Sequence, residues 1–289
     1  MPENSNCSGA SACSKESCEG CPSNHAGKSG GGIAKEPANA YSRIGKVIAV
    51  VSGKGGVGKS FVTASLASAM QKAGKKTGIM DADITGPSIP KMFGVHGKIC
   101  GSEQGMLPME SDSGIKMISV NLLLDHEEAP VIWRGPVIAG VVKQFWNETF
   151  WGDLDYLFVD MPPGTGDVPL TVFQSLPVDG ILIVTSPQEL VQMIVRKAYN
   201  MAEMMHIPVL GVVENFSYLK CPDCGRKISL FGESHIDEAA AELGVPVLGK
   251  IPLDPVYAQK ADEGAFADVE NQYLSAAAER IAGMEQKNI

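Results

Sequence analysis

The chain has 289 residues, of which 44% are hydrophobic and 20% are charged, a balance typical of a globular protein with one large domain or two small ones. Its net charge of −9 disfavours binding to nucleic acid or to anionic membranes, both of which require clustered basic residues. It has no apolar run long enough to span a membrane and no visible signal peptide. We therefore expect a cytoplasmic protein whose seven cysteines are reduced thiols or metal ligands.

Residues 1–40 differ in composition from the rest of the chain. They are rich in Gly, Ser, Asn and Ala, and their lack of large apolar side chains predicts a flexible segment rather than a folded core. Four cysteines nevertheless lie here, spaced C-x5-C-x4-C-x2-C. Four thiolates can complete a tetrahedral site, and metal binding would supply the ordering energy. We predict a four-iron, four-sulfur cluster, with zinc as the alternative, held by Cys7, Cys13, Cys18 and Cys21.

The segment 53–60 reads GKGGVGKS and fits the G-x-x-x-x-G-K-[ST] pattern of a loop that wraps nucleotide phosphates. An apolar, β-branched stretch before it predicts a buried strand over 46–52, and a helix is predicted over 61–70. Glycines let backbone N–H groups converge on phosphate oxygens, and the helix N-terminus adds partial positive charge. Lys59 would reach the β- and γ-phosphates, and the Ser60 hydroxyl would bind Mg²⁺. The predicted ATP-binding residues of this segment are Gly53, Lys54, Gly55, Gly56, Val57, Gly58, Lys59, Ser60 and Phe61.

Carboxylates follow two further predicted strands. A strand over 75–80 leads into Asp81 and Asp83, at the strand end where open α/β sheets bind ligands. The segment 94–116 is glycine-rich and polar, which predicts a loop or an edge hairpin. A helix is predicted over Val137–Trp151. A strand over 155–160 then ends in Asp160, the Walker B pattern, which would place this carboxylate near Mg²⁺.

The glycine-rich turn MPPGTGD at 161–167 comes directly after Asp160. Backbone N–H groups of such a turn, including that of Gly164, can sense a γ-phosphate and move when it leaves.

Strands are predicted over 180–186 and 209–215, with a helix over 188–205 between them. A final strand is predicted over 244–254 and a terminal helix over about 269–284.

Cys221 and Cys224 form a C-x2-C pair with only two thiolates, whereas a tetrahedral site needs four. In a two-fold symmetric dimer the same patch faces itself, so two copies of the pair would complete one site. The local residues indicate half of a zinc knuckle equally well, because CPxCG is also a zinc-ribbon signature.

These motifs resemble those of the deviant Walker A ATPases, the family that includes MinD, ParA, the nitrogenase iron protein and the Mrp/ApbC proteins. The resemblance covers residues 46–266 and rests on GKGGVGKS at 53–60, DADITGPS at 81–88, WRGP at 133–136, PPGTGD at 162–167, VENFSY at 213–218 and CPDC at 221–224. An N-terminal cysteine cluster ahead of such an ATPase resembles the Nbp-type branch of the Mrp proteins, although its spacing differs from the eukaryotic pattern.

The resemblance implies a role for several of these residues. Lys54 would cross a dimer interface to the partner's nucleotide, and it joins Lys59 and Asp83 as a candidate catalytic residue. Asp83 would orient the attacking water, while Asp81 would lie nearer the metal. Asn215 would bind the adenine edge, for which an amide offers a donor and an acceptor together; the alternative is a turn former at the end of a strand. Cys221 and Cys224 would hold an iron–sulfur cluster that bridges two subunits.

We therefore expect an α/β fold with a doubly wound, mostly parallel sheet, in which residues 41–289 form a P-loop ATPase domain. The expected function is that of an ATP-hydrolysing homodimer that carries iron–sulfur clusters to apo iron–sulfur proteins, with ATP and Mg²⁺ as cofactors and no nucleic acid or membrane partner. One alternative is a MinD/ParA-like positioning ATPase with a structural zinc site, although the tail 276–289 lacks the expected basic character. Another is an ATP-coupled iron–sulfur reductase.

Overall fold

A computed structural model describes residues 35–84, 86–124, 135–187 and 191–285. The strands are β1 (Arg43–Val51), β2 (Thr77–Asp81), β3 (Gly101–Ser102), β4 (Gly105–Met106), β5 (Met109–Glu110), β6 (Lys116–Ile118), β7 (Asp153–Asp160), β8 (Gly180–Thr185), β9 (Val209–Glu214), β10 (Leu219–Lys220), β11 (Lys227–Ile228) and β12 (Val247–Lys250). The α-helices are α1 (Lys59–Lys72), α2 (Ile89–Met92), α3 (Gly135–Asn147), α4 (Asp167–Ser175), α5 (Val191–Met204), α6 (Ile236–Glu242), α7 (Pro255–Asp262) and α8 (Ser275–Ala282).

Eight strands form one sheet in the order β12-β9-β8-β1-β7-β2-β6-β5. All neighbours pair in parallel except β5, which runs antiparallel to β6 at the edge. From β1 the chain builds one side of the sheet with β2, β5 and β6 and returns to place β7 between β1 and β2. It then builds the other side with β8, β9 and β12, which confirms the predicted doubly wound fold. Ligands of such sheets bind beyond the carboxyl ends of the strands, where the strand order reverses.

The core lies on both faces of the sheet because its central strands are apolar on both sides. In β1, Val47, Ala49 and Val51 pack on one face, while Ile48 and Val50 pack on the other. The first face is covered by α3, α4 and α5, and the second by α1 and α8. This burial fixes the positions of the strand ends that carry the predicted site residues.

The helix predicted over Val137–Trp151 is α3, and the prediction of its end was wrong. The helix stops at Asn147, since the backbones of Glu148 and Phe150 then exchange hydrogen bonds of 2.8 Å with Met106 of β4. Trp151 is fully buried in the segment that follows, before β7. A pairing with a strand distant in sequence therefore ends this helix.

Other boundaries also differ from the predictions. The terminal helix begins only at Ser275, after a short 3₁₀ turn over Gln272–Leu274 in which the Asn271 side chain accepts a hydrogen bond from Tyr273 N. The segment predicted as a loop or edge hairpin contains β3 and β4, which form a separate two-stranded sheet, and β5, which is the edge strand of the main sheet. The strand β6, which pairs with β5, was not predicted. The helix predicted over 188–205 is α5, and residues 188–190 lie outside the described residues.

Residues 35–39, assigned above to the N-terminal segment, pack on the sheet domain. Glu36 N donates to Ser175 O at 2.8 Å, and Trp146 Nε1 donates to Glu36 O at 2.9 Å. The compact unit accordingly begins at Lys35. Among the helices that the structure describes, none has the length and apolar character that crossing a membrane requires.

Candidate functional site

The predicted phosphate loop connects β1 to α1, as the sequence indicates. Gly56 and Gly58 adopt φ values of 77° and 82°, which few residues other than glycine reach without strain. A Cβ atom on Gly58 would lie 2.1 Å from Asn215 Nδ2, so this position also has no room for a side chain. Glycine is therefore required at Gly58 for two independent reasons.

The Asp160 carboxylate is the centre of the site. It is fully buried at the end of β7 and accepts hydrogen bonds from Lys59 Nζ at 2.7 Å, Ser60 Oγ at 2.5 Å and Thr63 Oγ1 at 3.1 Å. Burial alone would lower the pKa of Lys59, but the neighbouring charge of Asp160 outweighs it and the pKa lies above its ordinary value. Lys59 is thus held as a cation beside the loop.

Asp81 and Asp83 lie beside this centre, because β2 pairs with β7 and brings Asp81 into register with Asp160. Asp83 Oδ2 lies 3.5 Å from Lys59 Nζ. The carboxylate of Asp81 is fully buried and accepts hydrogen bonds from Ser119 Oγ at 3.1 Å and Asp83 N at 3.2 Å. Burial, and secondarily the negative charge of Asp160, raises the pKa of Asp81 to about 8.

The glycine-rich turn after Asp160 lies against the phosphate loop. Gly164 N donates to Ser52 O at 2.8 Å, and Gly164 has a φ of 89°. A Cβ on Gly55 would approach Pro163 to 4.0 Å. The two loops predicted to contact the terminal phosphates are therefore adjacent.

Three further predicted nucleotide-binding residues flank the loop. The Asn215 side chain donates from Nδ2 to Val57 O at 3.0 Å, so its amide supports the loop backbone. The Phe61 ring packs against Tyr257 and Phe266, with centroid distances of 5.1 and 5.5 Å. Lys54 is partly exposed, and its carbonyl accepts a hydrogen bond from Ser52 Oγ at 2.9 Å.

The C-x2-C pair lies in a turn between the short antiparallel strands β10 and β11. Cys221 N donates to Arg226 O and Gly225 N to Cys221 O, both at 2.9 Å, which closes the turn around the thiols. Both thiols are free, with Cys221 half-buried and Cys224 exposed. The backbone N–H groups of Cys224 and Asp223 hold the pKa of the Cys221 thiol below its ordinary value, which favours the thiolate that binds metals.

One chain does not complete a metal site with this pair. Across the part of the chain that the structure describes, no group of three or more His, Cys, Asp or Glu side chains is arranged to hold a metal ion. The predicted N-terminal ligands Cys7, Cys13, Cys18 and Cys21 lie outside the described residues, as do Trp133 and Arg134.

Several polar partners of the site were not predicted from the sequence. Thr63 follows Lys59 by one helical turn, a spacing that could have identified it. Ser119 reaches Asp81 only through the pairing of β2 with β6, which was not predicted. Glu214, buried between Ser217 and Ser234, gave no local signal.

Comparison with known proteins identifies close relatives. A family model described as "ParA: NUBPL iron-transfer P-loop NTPase" matches residues 43–287. An "iron-sulfur cluster carrier protein" of Clostridium perfringens is 44% identical over 256 residues, which cover 85% of this chain and 88% of the relative. A protein of the same name from Methanocaldococcus jannaschii is 44% identical over 253 residues, which cover 86% of this chain and 87% of the relative.

Solved structures agree with the fold. A nucleotide-binding protein of Archaeoglobus fulgidus, solved in complex with ADP and with cobalt, aligns with a TM-score of 0.73 and 44% identity, covering 80% of this chain and 91% of that one. The MinC:MinD complex of Aquifex aeolicus aligns with a TM-score of 0.56 at 22% identity, and the alignment covers 83% of this chain and 97% of that one. This similarity supports the fold alone.

Proposed function

This chain belongs to the family of NUBPL-type iron-transfer P-loop NTPases, and we propose that it is an ATP-hydrolysing homodimer that assembles iron–sulfur clusters and transfers them to apoproteins. The observation that carries the proposal is the combination, in one compact unit, of a phosphate loop beside Asp160 and a turn that presents two free thiols. The similarity to proteins named iron–sulfur cluster carriers supports iron–sulfur clusters as the cargo.

The residues around Asp160 fit a nucleotide with Mg²⁺. In the proposal, the loop N–H groups and Lys59 bind the phosphates, while Ser60 and Asp160 supply the oxygen ligands that Mg²⁺ prefers. Mg²⁺ bound there would neutralise negative charge on the phosphates.

Hydrolysis is assigned to groups on the same edge of the sheet. Asp83, beside Lys59, orients the attacking water, and Asp81 supports the metal side of the site. Gly164, on the turn adjacent to the phosphate loop, responds to the γ-phosphate. Lys54 reaches the nucleotide of the partner subunit, as the family resemblance implies.

The cargo site is proposed to form between two copies of the chain. Cys221 and Cys224 from each subunit supply four thiolates to one four-iron, four-sulfur cluster. Ile228, Leu230 and Phe231, which follow the thiol turn in the sequence, are exposed, and exposed apolar groups of this kind mark interfaces. The N-terminal cysteines are proposed to hold a second cluster on residues 1–40, and the cytoplasmic location stays a prediction.

A transfer assay tests this function. Protein reconstituted anaerobically with iron and sulfide should activate an apo-dehydratase that requires a four-iron cluster, and a Cys221→Ser, Cys224→Ser variant should lose most of that activation. Cys100→Ser, which replaces an exposed thiol outside the pair, is the matched control and should transfer normally. Equal transfer by all three proteins would contradict the assigned cargo site.

A further inference from the structure

Glu214 is a buried carboxylate that the proposed chemistry does not use. It is fully buried at the end of β9, where Ser217 Oγ donates to Oε2 at 2.5 Å and Ser234 Oγ donates to Oε1 at 2.7 Å. Among the described residues, no lysine, arginine or histidine forms an ion pair with it. Burying a polar group is unfavourable unless it is hydrogen-bonded, and these two hydroxyl groups provide hydrogen bonds to both carboxyl oxygens of Glu214.

The two serines stand at the two ends of the cysteine hairpin, which we define as residues 218–233 and which contains β10, the thiol turn and β11. Ser217 immediately precedes this hairpin and Ser234 immediately follows it. Ser217 N also donates to Ile251 O at 2.8 Å. One carboxylate therefore anchors both ends of the segment that presents Cys221 and Cys224.

The residues after Glu214 contact the phosphate loop. Asn215 donates to Val57 O at 3.0 Å, and the Phe216 ring lies 3.6 Å from the position that a Cβ on Gly58 would occupy. Phe216 has a φ of 57°, a left-handed conformation that is strained for a residue with a side chain. The linking turn, defined as Glu214–Ser217, thus contacts the phosphate loop through its two middle residues and the cysteine hairpin through its two end residues.

We propose that Glu214 is the positioning residue that transmits nucleotide binding at the phosphate loop to the cysteine hairpin; this inference rests on the proposed function. A shift of Val57 or Gly58 on nucleotide binding displaces Asn215 and the strained Phe216. The backbone of Glu214 is held between β8 and β12 by its register with Thr185 and Lys250, so the displaced turn moves Ser217 relative to a fixed strand end. The Glu214 carboxylate, which accepts from both serines, passes this shift on to Ser234. The accessibility of the two thiols then depends on the nucleotide.

Thiol alkylation of the reduced, metal-free full chain tests the coupling. Iodoacetamide modification of Cys221 and Cys224 is followed by mass spectrometry with and without a non-hydrolysable Mg²⁺–ATP analogue. In the unaltered protein the analogue should change the alkylation rates of Cys221 and Cys224 at least about fivefold, which is the lower end of typical coupling between sites. Cys100, an exposed thiol outside the hairpin, serves as the internal reference and should not respond.

Glu214→Ala should bind the analogue but lose the change in alkylation rate, since both serines lose their acceptor. Glu214→Gln should retain part of the response, because its amide oxygen still accepts from one serine and its N–H group can donate to the other. Ser111→Ala, which removes a hydrogen-bonded hydroxyl elsewhere in the domain, is the matched control and should respond fully. If Glu214→Ala does not fold, Ser217→Ala and Ser234→Ala each remove one anchor and should each weaken the response.

The inference is overturned if the unaltered protein shows no nucleotide effect on the two thiols. It is also overturned if a folded Glu214→Ala protein, or both single serine variants, respond like the unaltered one. Because the assay contains no cluster, it separates this inference from the carrier function. A protein that fails cluster transfer can still show the nucleotide-dependent alkylation. A protein that transfers clusters can equally be found to lack it.

Discussion

At the scale of single residues, the Asp160 carboxylate connects the sheet to the first turn of α1. Lys59, Ser60 and Thr63 all donate to it, and a buried carboxylate is tolerated only when it is paired and hydrogen-bonded in this way. The contacts that hold α1 against β7 are therefore the same contacts that orient the side chains proposed to bind nucleotide. Stability and nucleotide binding should respond together to substitutions here.

We expect Asp160→Ala to destabilise the protein far more than Thr63→Val. The first leaves the buried Lys59 without its nearest partner, which costs about 3 kcal/mol, at the lower end of the usual range because Asp83 remains nearby. The second removes one shared hydrogen bond, worth about 1 kcal/mol. Urea unfolding at pH 7 measures both values, and equal losses would refute this description of the Asp160 environment.

The raised pKa of Asp81 predicts a pH dependence of stability in nucleotide-free, chelator-treated protein. The ordinary pKa of an aspartate is about 4 and that of Asp81 in the folded chain is about 8, so the folded state binds the extra proton between these values. Stability should therefore fall as the pH rises from about 4 to about 8.

Asp81→Asn should remove most of that decline, because a neutral amide is not penalised by burial or by the charge of Asp160. Asp112→Asn, on the exposed surface, is the matched control and should keep the slope of the unaltered protein. Denaturant midpoints measured across this pH range give the comparison. An Asp81→Asn variant with an unchanged slope would mean that another group causes the decline.

At the scale of elements, the loops that follow β1, β7, β9 and β2 meet at one edge of the sheet. The loop after β1 contacts the turn after β7 through Gly164 N and Ser52 O, and it contacts the residue after β9 through Asn215 and Val57. Asp83, after β2, approaches Lys59 from the other side. Parallel strands make this convergence a consequence of topology, because all of their carboxyl ends lie at the same edge.

Gly58→Ala should disrupt this edge more than Gly56→Ala does. Both glycines have positive φ, so each substitution carries the left-handed cost of about 1–2 kcal/mol. Only Gly58 also faces an obstacle, since its new Cβ would lie 2.1 Å from Asn215 Nδ2, whereas a Cβ on Gly56 meets no atom within 4 Å. Unfolding free energies measured without nucleotide should separate the two variants, and indistinguishable values would contradict the contact with Asn215.

Elements with local signals could be predicted from the sequence, whereas contacts between distant segments could not. The phosphate loop was identifiable because a β-branched strand, a glycine run and a helix follow one another directly. The end of α3 could not be predicted, because it depends on the pairing of Met106 with Glu148 and Phe150, which are far from Met106 in the sequence. Ser119 and Glu214 escaped notice for the same reason, as each acquires its role only when strands and turns are brought together.

At the scale of the whole molecule, the account depends on two copies of the chain acting together. One chain presents two free thiols at Cys221 and Cys224, and an iron–sulfur cluster bound only by cysteine needs four. Two-fold symmetry supplies the missing pair without any further residue. The relatives named cluster carriers support the cargo, while the shared site between subunits is our proposal.

Native mass spectrometry of the full chain, reconstituted anaerobically with iron and sulfide, tests that claim most directly because it counts subunits and metal atoms in one particle. The account predicts a two-chain particle with one shared four-iron, four-sulfur core in addition to any cluster held by the N-terminal cysteines. The shared core should be lost in Cys221→Ser, Cys224→Ser and should persist in Cys100→Ser. Dimers with the same metal content after loss of both hairpin cysteines, or one zinc ion bound by each separate chain at this pair, would contradict it.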